Sequence, residues 1–235
     1  MNKNRIIKLI LQSLNKNKIL KNKRCLVTAG PTIEAIDPIR NITNNSSGKQ
    51  GYEIAKQMIL SGAKVTLISG PTNLQAPFKS KLIKVKTAKE MYDAVKKNLK
   101  IDIAVFAAAV SDFTPLNKNN NKIKKNNLKV IKLKKNKDIL KEISQLKKNR
   151  PRIVVGFAAE TKNHISNAKK KLHEKKCDAI IVNKIDKFND VFDSDFNKAT
   201  FISKYKKIDF KRMSKVKLAR NIVELINDLQ NKIIL

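Results

Sequence analysis

Several residue types are scarce in this 235-residue chain, and their scarcity excludes whole classes of protein. Two cysteines cannot form a disulfide framework, so a reducing compartment is expected. Six Gly and six Pro, beside 41% hydrophobic residues, exclude collagens and disordered low-complexity chains. The longest apolar run, residues 103–110, is far shorter than the roughly 20 residues of a membrane-spanning helix. We therefore expect a globular cytoplasmic protein that has no secretory signal and does not associate with membranes.

Acidic residues are also scarce: 19 Asp and Glu stand against 52 Lys and Arg, giving a formal net charge of +33. Such a charge is typical of nucleic-acid-binding proteins. However, only seven of the basic residues are Arg, the residue that makes bidentate contacts to phosphate and guanine. Trp, which stacks well on bases, is absent. A solvated Lys- and Asn-rich surface is the favoured interpretation, and a basic nucleic-acid-binding α/β module is kept as an alternative.

Predicted strands and helices alternate along the chain. Apolar runs predict strands at residues 23–29, 64–69, 82–85, 101–110, 153–159 and 179–182, with short strands or hairpins at 130–133 and 188–204. Helical spacing of apolar residues predicts helices at 51–60, 87–99, 138–146, 166–176 and 214–233. This order predicts a Rossmann-like, doubly wound, mostly parallel sheet with helices on both faces. Ligands in such folds bind beyond the carboxyl ends of the strands.

The segment after the first predicted strand carries candidate binding groups. It runs through Asn44 to Ser46-Ser47-Gly48, just before the first predicted helix. Free N–H groups at a helix start can hold a phosphate, and an Asn amide can donate to an acyl oxygen. Alternatively, Ser46 or Ser47 merely caps the helix and Asn44 lies in a turn. The spacing alone leaves both interpretations open.

Further motifs follow in a fixed order. They are Gly30-Pro31-Thr32-Ile33-Glu34 continuing through Asp37-Pro38-Ile39-Arg40 to Gly51, then Phe106-Ala107-Ala108-Ala109-Val110-Ser111-Asp112-Phe113, Lys122-Ile123-Lys124-Lys125, Asn136-x-Asp138-Ile139-Leu140, Val155-Gly156-Phe157-Ala158-Ala159-Glu160-Thr161, Ala168-x-x-Lys171-x-x-x-Lys175 and Phe192-x-x-Asp195-x-Asn197. As an ordered set they resemble the phosphopantothenoylcysteine synthetase (phosphopantothenate–cysteine ligase) family, in its bacterial CTP-dependent type. The resemblance spans residues 23–235, the expected ligase domain, and residues 1–22 are expected to be a basic, linker-like segment.

The resemblance implies a ligase of coenzyme A biosynthesis. Such an enzyme joins 4'-phosphopantothenate to L-cysteine through an acyl-cytidylate, converting CTP to CMP and pyrophosphate, with Mg²⁺ held largely by the nucleotide phosphates and water. It also implies a homodimer, and a separate phosphopantothenoylcysteine decarboxylase is a candidate partner. A catalytically degenerate homologue is a second alternative, because Gln50 and Lys137 depart from the family pattern.

The same resemblance assigns the expected site residues. Asn44 and Lys122 are the expected catalytic residues, with Lys122 on a mobile Lys/Asn-rich flap at residues 115–128. Asn44, Ser46, Ser47 and Gly48 are expected to contact the acyl group and a substrate phosphate. The expected nucleotide contacts are Phe106, Ala107, Ala108, Asp112, Lys122, Lys134, Lys135, Asn136, Lys137, Phe157, Lys171 and Lys175.

The residues themselves leave some of these assignments open. Lys171 and Lys175 share a helix face, where two like charges favour an anion, but a solvated face is the alternative. Residues 118, 124 and 125 are further lysines that could take the place of Lys122. Cys25 and Cys177 are expected to pack as small hydrophobic residues rather than to act as nucleophiles.

Overall fold

A computed structural model describes residues 18–124, 129–185 and 194–234. Three parts of the predictions fall on other residues and lie outside the described ranges. These are most of the linker-like segment (1–17), the end of the flap (125–128) and the start of the predicted hairpin with Phe192 (186–193).

Five helices and fourteen strands are present in the described residues. The helices are α1 (Lys49–Leu60), α2 (Ala88–Lys97), α3 (Ile139–Ser144), α4 (His164–Lys175) and α5 (Lys215–Ile234). The strands are β1 (Arg24–Ala29), β2 (Ile33–Ala35), β3 (Asn41–Thr43), β4 (Lys64–Ser69), β5 (Lys81–Lys84), β6 (Ile103–Phe106), β7 (Phe113–Pro115), β8 (Leu133–Lys135), β9 (Ile153–Glu160), β10 (Ala179–Lys184), β11 (Phe196–Asn197), β12 (Ala199–Ser203), β13 (Lys207–Asp209) and β14 (Met213–Ser214).

Eight of the strands form one central sheet in the order β13-β12-β10-β9-β6-β1-β4-β5. Neighbouring strands from β10 through β9, β6, β1 and β4 to β5 are parallel to each other. Strands β12 and β13 continue the sheet beyond β10, and each is antiparallel to the strand before it. From β1 the chain first builds outwards through β4 and β5, and then returns to build the other side from β6. The point where the order reverses, between β1 and β6, is where a doubly wound sheet opens a crevice at its carboxyl edge.

Helices cover both faces of the sheet. Buried side chains of α1 and α5 pack on one face, for example Met58 and Ile222, together with Val27 of β1. Helices α2, α3 and α4 pack on the other face, where Met91 and Ile143 meet Leu26, the neighbour of Val27 in the same strand. Because both faces are covered, the central strands are apolar almost throughout. The predicted Rossmann-like, doubly wound fold is confirmed.

Helix ends follow local sequence signals. Thr87 Oγ1 accepts a hydrogen bond from the backbone N–H of Glu90 (3.1 Å), and Glu90 accepts one from the N–H of Lys86 (2.7 Å), so α2 begins with reciprocal capping. Helix α1 ends at Leu60 with Ser61 as its C-cap, and Gly62 follows with a φ of 94°, a conformation that glycine adopts without steric cost.

Some predicted boundaries were wrong. The apolar run at 101–110 forms a strand only over Ile103–Phe106. The N–H of Ala107 still bonds to Thr28 of β1, but that of Ala109 bonds to Gly30, beyond the end of β1. The strand predicted at 130–133 lies at Leu133–Lys135, where it pairs antiparallel with β7. In the described part of the predicted hairpin, β12 pairs instead with β13, further along the chain.

Within the described residues, no helix is long and apolar enough to cross a lipid bilayer.

Candidate active site at the carboxyl edge of the sheet

A cavity of about 510 Å³ lies beyond the carboxyl ends of the central strands. Its walls are the start of α1, the segment 106–112 that follows β6, the end of β9, and the start of α3 with two lysines of α4. Of the predicted site residues, Asn44, Ser46, Ser47, Gly48, Phe106, Ala107, Ala108, Asp112, Asn136, Lys137, Phe157, Lys171 and Lys175 line it.

A larger cavity, of about 1060 Å³, opens at the opposite, amino edge. It is lined largely by lysines and by the ends of strands and helices there. We assign the chemistry to the smaller cavity, because ligands of doubly wound sheets bind at the carboxyl edge. Polar side chains and helix-start amides also converge in that smaller cavity, as the following geometry shows.

The start of α1 presents backbone rather than side-chain groups. Gly48 is the N-cap residue, with a φ of 76°, and as a glycine it has no side chain to cap the first turn. Ser46 Oγ accepts a hydrogen bond from the N–H of Gly48 (3.3 Å). Backbone N–H groups at a helix start are donors that can bind an anion.

Gly51 explains why this helix start lies against the sheet. A Cβ at position 51 would lie 2.7 Å from Ala29 Cβ, so only glycine allows α1 to approach the end of β1 this closely. Gly51, the second glycine of Ser46-Ser47-Gly48-x-x-Gly51, thus determines how closely the start of α1 lies to the sheet beneath the cavity.

Segment 107–112 is held by hydrogen bonds to the end of β1 and to the loop that follows it. The N–H of Ala108 donates to Thr28 Oγ1 (3.3 Å), and the N–H of Ser111 donates to Thr32 Oγ1 (2.9 Å). Asn44 Nδ2 donates to the carbonyl oxygen of Val110 at 3.0 Å. Asn44, which follows β3 directly, therefore lies against the backbone that was predicted to contact the nucleotide.

Asn136 joins this segment to the chain before α3. Its side chain donates to the carbonyl oxygen of Ser111 (2.9 Å), and its backbone N–H donates to that of Asp112 (2.8 Å). Lys137 also lines the cavity, with its ammonium 4.6 Å from the centre of the Tyr92 ring. The departure from the family pattern at Lys137 therefore leaves a cation at the cavity wall, held by a cation–π contact.

The two lysines of α4 point at carboxylates of the protein itself. Lys171 pairs with Glu160 at the end of β9, and Lys175 pairs with Asp138, the residue that caps α3 (2.8 Å). Burial raises the pKa of Glu160, but the hydrogen bonds from Lys171 and Asn167 outweigh it and hold this pKa below its usual range. Both pairs line or border the cavity, so a bound polyanion would compete with these carboxylates for the lysines.

Glu160 and Asp138 were missed as site residues, although both stand in the quoted motifs. The signal that could have found them is their position: one ends a buried strand and the other precedes a helix. Both are places where a parallel sheet delivers side chains to its carboxyl edge.

A second group that sequence reasoning missed lines the β10 side of the cavity. Lys49 pairs with Asp195 at 2.8 Å, and Gln50 Nε2 donates to the carbonyl oxygen of Lys215 (3.3 Å). Asn183 faces the cavity and accepts a hydrogen bond from the fully buried Asn197 (3.1 Å). Asp195 and Asn197 stand in a quoted motif, but the contacts of this group could not be derived from the sequence, since its residues meet only through tertiary packing.

Three predicted residues do not line the cavity. Lys134 and Lys135 are exposed on β8, and Lys122 is exposed on the loop after β7. Lys122 lies next to Ile123, whose backbone is bonded to the turn between β2 and β3.

A Mg²⁺ ion has limited protein ligands here. In the described ranges no group of three or more His, Cys, Asp or Glu side chains could hold a metal. Asp138 already pairs with Lys175 and accepts a hydrogen bond as the cap of α3. Asp112, in contrast, is exposed at the cavity. One carboxylate beside a polyphosphate fits Mg²⁺, which prefers phosphate and water oxygens.

Comparison with known proteins now places the chain. Residues 20–229 match the family described as the DNA/pantothenate metabolism flavoprotein C-terminal domain. This chain belongs to that family. It is 43% identical over 229 residues to the coenzyme A biosynthesis bifunctional protein CoaBC of Borreliella burgdorferi, covering 96% of this chain and 57% of that protein.

Two further relatives define the breadth of the family. One is a cysteine/cysteine sulfinic acid decarboxylase from an unknown prokaryotic organism, 38% identical over 94% of this chain and 64% of that protein. The other is the crystal structure of the C-terminal domain of a CoaBC protein, with a TM-score of 0.78 and 36% identity. The match covers 92% of this chain and 99% of the chain in that structure. The chain thus spans little more than half the length of the curated relatives it matches.

Proposed function

We propose that this chain is a CTP-dependent phosphopantothenate–cysteine ligase of coenzyme A biosynthesis. The observation that carries the proposal is the carboxyl-edge cavity, which brings Asn44, the segment after β6 and the start of α1 together with lysines. The family membership and the similarity to CoaBC proteins support the same assignment.

The first step would activate the substrate carboxylate. It attacks the α-phosphorus of CTP, and pyrophosphate leaves, giving the mixed anhydride. The start of α1, Lys171 and Lys175 would bind the phosphates, with the lysines exchanging their carboxylate partners for the anion. The backbone at Ala107 and Ala108, with Phe157, would pack against the base. Mg²⁺, held by Asp112 and the phosphates, would neutralise charge on the triphosphate.

The second step would form the amide. The cysteine amine attacks the acyl carbon, CMP leaves, and a proton leaves the amine. Asn44 Nδ2 donates to the carbonyl oxygens of Val110 (3.0 Å) and Ala109 (3.5 Å), and an acyl oxygen would replace the longer of these two contacts. Lys122 would neutralise charge in the first step, reaching the cavity from its loop.

The decisive experiment supplies 4'-phosphopantothenate, cysteine, Mg²⁺ and either CTP or ATP, with product detected by mass spectrometry. We expect 4'-phosphopantothenoylcysteine with CTP. Product only with ATP would contradict the nucleotide assignment, and no product with either would contradict the ligase. Release of cysteamine and carbon dioxide from cysteine alone would favour decarboxylation, which the name of one relative suggests.

Two variants separate the half-reactions. Lys122→Gln keeps the length of the side chain but removes its charge, so formation of the mixed anhydride is expected to fall by roughly two to three orders of magnitude. Asn44→Asp puts a carboxylate beside the acyl group and the Val110 carbonyl, so the anhydride is expected to form and persist. Lys118→Gln, on the same exposed loop, is the matched control. Accumulation of the anhydride in the Lys122 variant would reverse the two roles.

We also propose a homodimer. The hairpin of β7 and β8 and its flanks expose large apolar side chains, namely Phe113, Leu116, Val130, Ile131 and Leu133. Such a cluster, rimmed by lysines, is typical of an interface. Light scattering is expected to give the mass of a dimer, and Phe113→Glu with Leu133→Glu the mass of a monomer. Val216→Glu, an exposed apolar residue on α5, is the control expected to stay dimeric.

A further inference from the structure

The loop that carries Lys122 joins β7 to β8 and is hydrogen-bonded to a second hairpin, that of β2 and β3. The two ends of the loop are joined by a hydrogen bond from the N–H of Leu116 to the carbonyl oxygen of Lys132 (2.8 Å). Between these points the loop is bonded to the turn that joins β2 and β3. The N–H of Asn119 donates to the carbonyl oxygen of Ile36 at 3.1 Å.

The stronger connection is made by one ion pair in that turn. Asp37 Oδ2 accepts hydrogen bonds from Arg40 Nε (2.9 Å) and from the backbone N–H of Ile123 (3.2 Å). The Arg40 guanidinium also donates to the carbonyl oxygen of Ile123 at 2.9 Å. Both polar backbone groups of the residue next to Lys122 are therefore held by the same two side chains.

The pair is itself well fixed. The side chain of Asp37 is fully buried, and its other oxygen accepts from the N–H groups of Ile39 (2.9 Å) and Arg40 (2.8 Å). The hydrogen bond from Arg40 holds the pKa of Asp37 well below its usual range, so the carboxylate stays charged at neutral pH. The Arg40 side chain is 33% exposed, but its loss would leave the buried Asp37 carboxylate without a cation, so the pair resists displacement.

We propose that Asp37 and Arg40 are positioning residues that hold Lys122 in register by fixing Ile123. The inference rests on the role given to Lys122 in the proposed ligase. The same hairpin, in which Asp37 and Arg40 form the turn, also positions Asn44, the residue directly after β3. One short element therefore sets where both expected catalytic residues stand relative to each other.

The first test needs no activity. In Asp37→Asn the shape is kept and the charge is lost, so hydrogen exchange at the Ile123 amide is expected to accelerate at least tenfold, while β1 and β9 amides stay protected. Asp178→Asn is the matched control: Asp178 likewise accepts from Arg150 (3.0 Å) and from a backbone N–H, that of Val154 (2.6 Å), but far from the loop. If Asp37→Asn fails to fold, Arg40→Lys keeps the charge and loses the planar fork that reaches Ile123.

The second test is a double-mutant cycle on the ligase reaction. Asp37→Asn is expected to lower kcat roughly 10- to 100-fold with little change in the KM for CTP, as misplacement of a catalytic group does. Because the pair acts through Lys122, the same change in a Lys122→Gln background is expected to cost less than twofold. Asp178→Asn is expected to have the same small effect in both backgrounds.

The outcomes separate this inference from the proposed function. If the unaltered protein makes no ligase product, the proposed function fails, and exchange at Ile123 still decides whether the pair anchors the loop. Unchanged exchange in the folded Asp37 or Arg40 variant overturns the anchor. Kinetic losses that multiply across the cycle overturn the positioning role, because Asp37 would then act independently of Lys122.

Discussion

The two edges of the sheet carry similar charges but are built differently. At the amino edge, lysines surround the larger cavity, and two of them contact a ring and an amide: Lys96 faces Tyr92, and Lys81 bonds to Asn98. At the carboxyl edge, Lys171 and Lys175 each meet a carboxylate beside a helix start and a bonded loop.

The difference teaches that neither cavity volume nor positive charge marks the functional site of this chain. A surface with so many lysines produces basic cavities wherever loops leave a gap. What distinguishes the carboxyl edge is the convergence of groups with fixed directions: backbone N–H groups of α1, the Asn44 amide, and cations held by Glu160 and Asp138.

Removing charge at each edge tests this contrast most strongly. Lys171→Gln with Lys175→Gln is expected to lower kcat/KM for CTP about 100- to 1000-fold, because the two proposed phosphate contacts would be lost. Lys97→Gln with Lys100→Gln, at the amino edge, is expected to change it by less than about twofold. Steady-state kinetics at constant ionic strength would measure both. A larger loss in the amino-edge variant would mean that the site was assigned to the wrong cavity.

Glycines at the two edges are expected to differ in their effect on stability. A Cβ at Gly70, at the carboxyl edge, would lie 1.7 Å from the carbonyl oxygen of Pro31, so Gly70→Ala is expected to cost about 2–3 kcal/mol through backbone displacement. A Cβ at Gly62, at the amino edge, would lie 3.0 Å from the Lys18 side chain and 3.3 Å from the Lys21 Cα, and Gly62→Ala is expected to cost about 1–2 kcal/mol for its positive φ. Urea unfolding would measure the free energy of unfolding of both variants. Equal losses of stability would contradict the expected order.

The smallest effect is expected at the thiols. Burial, with the nearby Asp102 carboxylate, raises the pKa of Cys25 to about 12, and burial with Asp178 raises that of Cys177 to about 12. At pH 8 both thiols are protonated in the folded protein, so alkylation is expected to be much slower than in urea. Single Cys→Ser variants would assign each rate by mass spectrometry. Rapid labelling of Cys25 in the folded chain would show that reagent reaches the wall of the amino-edge cavity.

The sequence predicts the central strands closely and the small hairpins poorly. Strand β4 lies where it was predicted, and β1 and β9 differ by one residue, because strands covered on both faces are continuous apolar runs. The hairpin of β2 and β3 was not predicted, since its short strands depend on bonds to the rest of the fold, such as that from the N–H of Ile33 to the carbonyl oxygen of Lys86 (2.8 Å).

The site divides in the same way. Asn44 and Asp112, which lie in the segments that follow β1 and β6, line the cavity, because parallel strands end at a common edge. The partners of Lys171 and Lys175 could not be derived from spacing, since Glu160 and Asp138 come from other elements. The roles of Asn44 and Lys122 remain predictions for the half-reaction experiment.

The turn that holds Ile123 has a consequence for exchanging parts between relatives. The loop after β7 and the hairpin of β2 and β3 are distant in sequence, yet Asp37 and Arg40 bind the backbone of the loop rather than its side chains. We expect the loop to accept wide variation in side chains while its length up to Ile123 stays constrained. A chimaera that takes this loop from a homologue of different loop length would need the homologue's hairpin as well, so the two segments form one transplantable module.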